Sequence, residues 1–221
     1  MSTRKRRTRD PLDRYYTPNY VVEQAMDIVL PAVVPRPPQG ILDPGAGDGA
    51  FLRQLARKYP KSWIVGADID PDVGPWDECA NESYEADFLV SDWPQVFGDV
   101  RIDLVIGNPP YGRAMEFIEA ALEITDTVVY LLRVDFLCSA GRAEFFLEHK
   151  PSHVFLLPNR PPFTGPALRP PYTEEPKDGQ TGEYDYAWIC WSPMHVDQVT
   201  QLDWLPVVDR QIRRPTAKAE E

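Results

Sequence analysis

Three glycines in five positions, Gly45, Gly47 and Gly49, separate a short apolar run ending in an acid, Gly40-Ile41-Leu42-Asp43, from an amphipathic run reaching Tyr59. Nothing else in the 221 residues restricts the fold as much. A strand feeding a helix through such a loop must turn tightly. Glycine permits that turn and lets a ligand approach the main chain. The alternation then repeats. Trp63 to Ala67 reads as a second strand and ends at Asp68, Tyr84 to Asp87 as a short third, and Ile102 to Gly107 as a fourth. Val128 to Leu132 is a fifth and His153 to Leu157 a sixth. Apolar residues at helical spacing mark 19–31, 114–124 and 139–149 as helices, with Pro31, Pro35, Pro37 and Pro38 ending the first. A last apolar strand, Tyr186 to Trp191, follows a long loop over 158–184 that is rich in Pro, Gly and charge. Strands alternating with helices predict an α/β fold with a largely parallel, doubly wound sheet. The expected organisation is a basic disordered tail at 1–14, a single domain over 15–205 and a polar tail at 206–221.

Charge narrows the partners. The net charge is −11, and so acidic a chain does not attract nucleic acid through its global field. A nucleic-acid partner must meet a local basic patch. The first fourteen residues hold Arg4, Lys5, Arg6, Arg7, Arg9 and Arg14 against Asp10 and Asp13, and a solvated tail of this kind can touch phosphates. No apolar run approaches the length of a membrane span, and the N-terminus lacks the apolar stretch of a secretory signal. Cys79, Cys138 and Cys190 are odd in number and widely spaced. They point to a reducing, cytoplasmic setting and to no disulfide framework. With three scattered histidines, no metal cofactor is expected.

Asp68 lies 19 residues after Gly49, at the end of the next strand. A carboxylate there can accept hydrogen bonds from both hydroxyls of a ribose, so loop and acid together signal an adenosine-containing cofactor. Gly45, Gly47 and Ala50 also satisfy the G-x-G-x-x-G/A dinucleotide pattern, which keeps a nicotinamide cofactor open at this point. Asp43 weighs against a pyrophosphate, which it would repel. It suits the ammonium of a methionine moiety, and so points toward S-adenosylmethionine.

Asn108-Pro109-Pro110-Tyr111 follows the fourth strand directly, at the carboxyl end where such sheets bind ligands. Asn108 offers an amide oxygen and Pro109 a carbonyl. Two successive prolines lack N–H groups and hold φ fixed, and Pro110 biases Pro109 toward an extended conformation. The product is a stiff, acceptor-rich edge with an aromatic ring at its end. Such an edge suits a planar amino group, whose delocalised lone pair makes it a poor nucleophile. Two acceptors on its hydrogens draw it toward a tetrahedral geometry. The protein's contribution is then positioning and fixed electrostatics. Tyr111 can stack on a flat substrate, as a flipped base would present.

With these residues in place, the chain resembles the S-adenosylmethionine-dependent amino-methyltransferases, and among them the N6-adenine DNA methyltransferases whose cofactor loop precedes the catalytic loop. The resemblance covers roughly residues 13–192. Four stretches carry it: Tyr15-Tyr16-Thr17-Pro18, Asp43 to Gly49, Gly66 to Pro71, and Asn108 to Tyr111. Ala86-Asp87-Phe88 adds a weaker fifth. The resemblance implies a Rossmann-like class I methyltransferase fold, a seven-stranded sheet with an antiparallel last strand. It implies that Tyr16 and Thr17 close over the methionine part of the cofactor, that Asp43 holds its amine, and that Gly45 and Gly47 lie beneath it. Asp68 would take the ribose, Ile69 would flank the adenine, Asp87 would accept from the adenine amino group, and Phe88 would pack on that ring. Asn108 and Pro109 would grip the target amino group, with Asn108 also beside the cofactor and Tyr111 stacked on the substrate.

One departure matters. Sequence-specific members carry a large target-recognition domain, and this chain has only the loop over 158–184, with Asn159, Arg160, Phe163, Arg169 and Tyr172. Arginines among aromatics can contact phosphates and stack on bases. Arg160 and Phe163 are the candidate substrate contacts there, Phe163 as a second wall of the base pocket. The expected partner is nucleic acid, DNA before RNA, with a protein partner supplying recognition as an alternative. The same tetrapeptide occurs in methyltransferases of protein glutamine amides and of RNA base amines, so both substrates stay open. A non-catalytic partner subunit and a nicotinamide dehydrogenase are the readings from other classes, and the second leaves Asn108 to Tyr111 unexplained.

Overall fold

A computed structural model describes residues 13–163, 182–194 and 199–208. Residues 1–12 of the expected basic tail, the middle of the long loop with Arg169 and Tyr172, and the polar tail beyond 208 lie outside the described residues.

The order of the sheet explains the position of the site. Eight strands run in the order β3-β2-β1-β4-β5-β7-β6-β8. They are β1 (Gly40–Asp43), β2 (Trp63–Asp68), β3 (Glu82–Glu85), β4 (Ile102–Gly107), β5 (Val128–Arg133), β6 (His153–Leu156), β7 (Tyr186–Trp191) and β8 (Gln201–Trp204). From β1 the chain steps outward through β2 to β3, then returns to β4 on the other side of β1. The switch point therefore lies between β1 and β4, where open α/β sheets bind ligands beyond their carboxyl ends. β1 pairs in parallel with both β2 and β4. β7 is antiparallel to both β5 and β6, as expected of Tyr186 to Trp191.

Alternation along the strands builds two cores. Ile41, Ile64, Leu104, Ile106, Val129, Leu131, Trp188 and Cys190 face one side, against Val21, Val22, Val29, Phe51, Leu52 and Leu55. Leu42, Val65, Val105, Val128, Tyr130, Ala187 and Ile189 face the other, against Phe117, Ile118 and Ala121. These strands are buried on both faces, which is why they read as near-continuous apolar runs. Each such side chain contributes about 1.5–3 kcal/mol.

The helices are α1 (Asn19–Gln24), α2 (Leu30–Val33), α3 (Ala50–Lys58), α4 (Trp93–Phe97), α5 (Ala114–Ile124) and α6 (Ala143–Glu148). α1 continues through a π turn (Ala25–Val29) into α2, so Pro31 does not end the first helix. The wider turn lies directly before the proline and accommodates its missing N–H and its ring. α6 is shorter than the expected 139–149 and starts with a 3-10 turn at Ala140–Arg142.

Two strands differ from expectation. β3 begins two residues early, with Val65 opposite Glu82. Asp87 falls in the turn beyond it, where its carboxylate accepts from Leu89 N–H at 3.0 Å. β8 is an eighth strand, parallel to β6, and all four of its residues are exposed. An exposed edge has no buried face to impose an apolar pattern. The start of the expected polar tail is tied down: Gln24 Nε2 donates to Pro206 O at 2.8 Å, and Val208 N–H donates to Asn159 Oδ1 at 2.8 Å. Among the described residues no helix is long and apolar enough to cross a membrane.

Candidate active site

The loops after β1 and β4 flank a cavity of about 530 Å³, within the ~300–1,000 Å³ typical of small-molecule sites. Tyr16, Gly45, Gly47, Asp68, Ile69, Asp87, Phe88, Asn108 and Pro110 line it, from five separate stretches of chain. Thr17, Asp43 and Pro109 are buried and adjoin lining residues in the chain.

The glycine loop is held from three sides. Ala46 N–H donates to Ala67 O at 2.9 Å, Gly47 N–H to Asp68 Oδ2 at 2.9 Å, and the Trp76 indole to Gly47 O at 3.2 Å. Gly47 and Gly49 have φ of +51° and +76°, a region that disfavours side chains. Gly45 differs: a Cβ there would meet nothing within 4 Å. Protein packing therefore does not require that glycine, and the open space beside it lies at the cavity wall.

Asp43 is fully buried at the end of β1. Its Oδ1 accepts a long bond from Gly45 N–H at 3.3 Å, and its Oδ2 has no hydrogen-bond partner among the described residues. Burial pushes its carboxyl well above the usual range; the Gly45 N–H opposes this, and nearby Asp68 and Asp48 reinforce it. Gly107 at the end of β4 makes room for it, since a Cβ there would stand 2.7 Å from Asp43 Oδ1. Burial likewise raises Asp68, whose two oxygens accept from Gly47 N–H and from Asp70 N–H at 2.9 Å each. Asp48 pairs with Arg53 at 3.4 Å and Asp70 with Arg14 at 2.7 Å. Among the lining residues Asp13, Asp68, Asp70 and Asp87 outnumber Arg14 and Arg113, an excess of acids that favours a cationic ligand.

Asn108 stands at the carboxyl end of β4 with its amide held by the segment before α1. Its Nδ2 donates to Tyr15 O at 3.0 Å and to Thr17 Oγ1 at 3.1 Å. Its Oδ1 is buried and has no hydrogen-bond partner among the described residues. That segment also reaches past the tetrapeptide, where Gly112 N–H donates to Asp13 Oδ2 at 3.1 Å.

Several expected residues are engaged with the protein. Tyr111 is half-buried and stacks on Tyr15, rings 5.8 Å apart at 21°, so another protein ring covers the face expected to receive a substrate. Phe163 joins this group, 6.5 Å from Tyr111, 6.4 Å from Tyr15 and 4.7 Å from Tyr186. Arg160 lies outside the cavity lining and pairs with Asp185 at 2.7 Å, clamping the two ends of the long loop together. Asp87 faces Arg113 at 3.6 Å. Phe88 is buried against Phe117, 5.0 Å between ring centres.

Sequence reasoning missed Trp76, which braces the glycine loop from a polar, turn-rich stretch. It named Tyr15, Arg14 and Asp70 without giving them a site role, and passed over Arg113; all four line the cavity. Tyr15 and Arg14 adjoin the Tyr-Thr-Pro element, the one signal that could have drawn attention to them.

No protein-family model matches the chain. It is 33% identical over 97 residues to the Type II methyltransferase M.CvrRI of Paramecium bursaria Chlorella virus XZ-6E, over 44% of this chain and 24% of that protein. It is 33% identical over 86 residues to a tRNA1(Val) (adenine(37)-N6)-methyltransferase of Porphyromonas gingivalis (34% and 32%). It is 30% identical over 105 residues to a release factor glutamine methyltransferase of Streptomyces coelicolor (47% and 34%). The chain thus spans a quarter to a third of the length of these relatives. A solved structure assigned as RNA methyltransferase PH1948 of Pyrococcus horikoshii superposes with a TM-score of 0.59 at 18% identity, over 82% of this chain and 87% of that one. The fold is the Rossmann-like class I methyltransferase fold. At modest identity, and over part of its length, the chain is similar to methyltransferases whose names give adenine N6 and protein glutamine as targets.

The residues present fit that cofactor. The space beside Gly45 admits a ligand against the backbone, Asp43 Oδ2, which has no hydrogen-bond partner among the described residues, can accept from an ammonium, and the excess of carboxyl groups suits a molecule with sulfonium and ammonium cations.

Proposed function

We propose that the protein transfers a methyl group from S-adenosylmethionine to a planar amino nitrogen, with the N6 amino group of adenine in DNA as the leading target. One observation carries the reading: Asn108 Oδ1 is buried, has no hydrogen-bond partner among the described residues, and belongs to a residue lining a cavity that fits the cofactor. A buried carbonyl oxygen without a donor costs about 1–3 kcal/mol, and an amino group arriving as donor relieves that cost. The tetrapeptide therefore selects N–H donors, and it does so before any chemistry.

The reading gives each residue a role. Asp43 holds the cofactor amine, Asp68 the ribose and Asp87 the adenine amino group, with Gly45 and Gly47 beneath. Tyr16 and Thr17 close the methionine end, and Ile69 and Phe88 flank the adenine. The bound cofactor supplies an electrophilic methyl group. Asn108 Oδ1 and the Pro109 carbonyl accept the two target hydrogens and turn the nitrogen lone pair toward the site. Tyr111 and Phe163 wall the substrate side, where Tyr15 must yield to a stacked base. Arg160 contacts substrate only if its pair with Asp185 opens.

DNA leads because the Tyr-Thr-Pro element precedes the cofactor loop and because a Type II methyltransferase is among the relatives. The net charge of −11 favours a second reading, a protein amide or a partner that brings the nucleic acid. Asn108→Ala tests the core of the proposal. Transfer should be lost while cofactor affinity stays within about threefold, and a variant that kept the full rate would remove the tetrapeptide from the chemistry.

A further inference from the structure

Asn108 can grip an amino group only if its oxygen, not its nitrogen, faces the target. The two ends of a side-chain amide have the same shape, so packing alone does not choose between them. Something must, because the flipped amide would oppose its own N–H groups to those of the target.

We infer that the segment before α1 is an orientation lock for the catalytic amide, with Thr17 as its positioning side chain. The inference deepens the reading above and rests on it. Nδ2 donates twice to this segment, to Tyr15 O at 3.0 Å and to Thr17 Oγ1 at 3.1 Å, and the Tyr111 hydroxyl is a further neighbour of the same side chain. The Tyr15 carbonyl can only accept. A flipped amide would place Oδ1 against that carbonyl, acceptor against acceptor, and would strand two donors. The lock therefore fixes which atom remains free, and that atom is the unpartnered Oδ1.

The lock is itself anchored at both ends of the site. Arg14 reaches Asp70 at 2.7 Å beside the cofactor acid Asp68, and Asp13 Oδ2 takes Gly112 N–H just past the catalytic loop. Thr17 is buried, and Pro18 after it holds the backbone extended. The Tyr-Thr-Pro element, expected to serve only the cofactor, thus also serves the nucleophile's acceptor.

The test uses the whole chain and two variants of Thr17. Thr17→Val keeps the shape and loses the acceptor; Thr17→Ser keeps the acceptor. Thr17→Val should lower kcat about tenfold, equivalent to about 1.4 kcal/mol, a loss several times larger than any loss of calorimetric affinity for S-adenosylmethionine. Thr17→Ser should restore most of the rate. A second readout needs no turnover. The Asn108 side-chain NH2 resonances, assigned by their loss in Asn108→Ala, should exchange slowly with solvent in the native chain and in Thr17→Ser. One of them should exchange at least tenfold faster in Thr17→Val. A full rate or unchanged exchange in Thr17→Val overturns the lock. So does a rate loss matched by an equal loss of cofactor affinity, which would make Thr17 a cofactor contact only. A native chain that methylates nothing overturns the proposed function instead, and the exchange measurement still decides the lock.

Discussion

Replacing Asp43 by Asn removes one charge from a fully buried position without changing its volume. In the ligand-free protein that carboxylate has a single long hydrogen bond and an oxygen with no hydrogen-bond partner among the described residues. Burial raises its carboxyl above the ordinary value near 4. The folded state then holds the proton more tightly than the unfolded one. The stability this contributes is complete below about pH 4 and lost as pH rises through the raised folded value. At neutral pH, well above the unfolded value, the protein therefore bears the cost of keeping this carboxyl buried and poorly bonded, on the order of 2 kcal/mol. Asn keeps the acceptor for Gly45 and drops the charge. For a chain of this size 1 kcal/mol shifts the melting temperature by about 2–4 °C, so the variant should melt roughly 4–8 °C higher at pH 8. The gain should shrink toward pH 4. If Asp43 holds the cofactor amine as proposed, the same change removes a charge-assisted bond worth about 1.5–3 kcal/mol and should weaken affinity about 10- to 150-fold. Thermal unfolding from pH 5 to pH 8 without ligand, and calorimetry with S-adenosylmethionine, read the two effects separately. Equal melting temperatures at pH 8 together with equal affinities would refute the reasoning.

Other substitutions probe the same frame. Asp68→Ala deprives Gly47 and Asp70 of their acceptor and should weaken cofactor binding at least tenfold; unchanged affinity in a titration would sink its ribose role. Gly49→Ala sets a Cβ 2.5 Å from Trp76 Cδ1 at φ +76° and should cost about 1–3 kcal/mol, read as a lower denaturation midpoint. Gly107→Ala drives a Cβ toward Asp43 Oδ1 and should lower both stability and cofactor affinity, whereas a loss of stability alone would mean that Asp43 gives way without consequence for the ligand.

Legibility in the sequence followed burial. β1, β4 and β7 match the sequence-based bounds because strands buried on both faces must be apolar throughout. α5 matches because one stripe packs on the sheet and the opposite face is wet. β8 was not legible, since every one of its residues is exposed. α4 escaped although Asp92 caps it by accepting from Gln95 N–H, Pro94 opens it and Gly98 ends it; five residues are too few to show a helical period. The site was legible where chemistry fixes residue type: Asp43, Gly47, Asp68 and Asn108 converge on one cavity or its wall. Its substrate side was not. Tyr15 over Tyr111 and Asp185 on Arg160 are contacts between distant segments, which spacing does not encode. Trp76 was hidden for the same reason, because its partner Gly47 lies 29 residues away.

The central claim is that this cavity delivers a methyl group to a planar amino nitrogen. Labelled S-adenosylmethionine, offered with separate pools of DNA, RNA and protein, tests it directly when the products are digested and identified by mass spectrometry. The account predicts label on an exocyclic or amide nitrogen, with N6-methyladenine from DNA as the leading product. Label on oxygen, carbon or sulfur would contradict it, as would a chain that binds the cofactor and transfers to none of the pools.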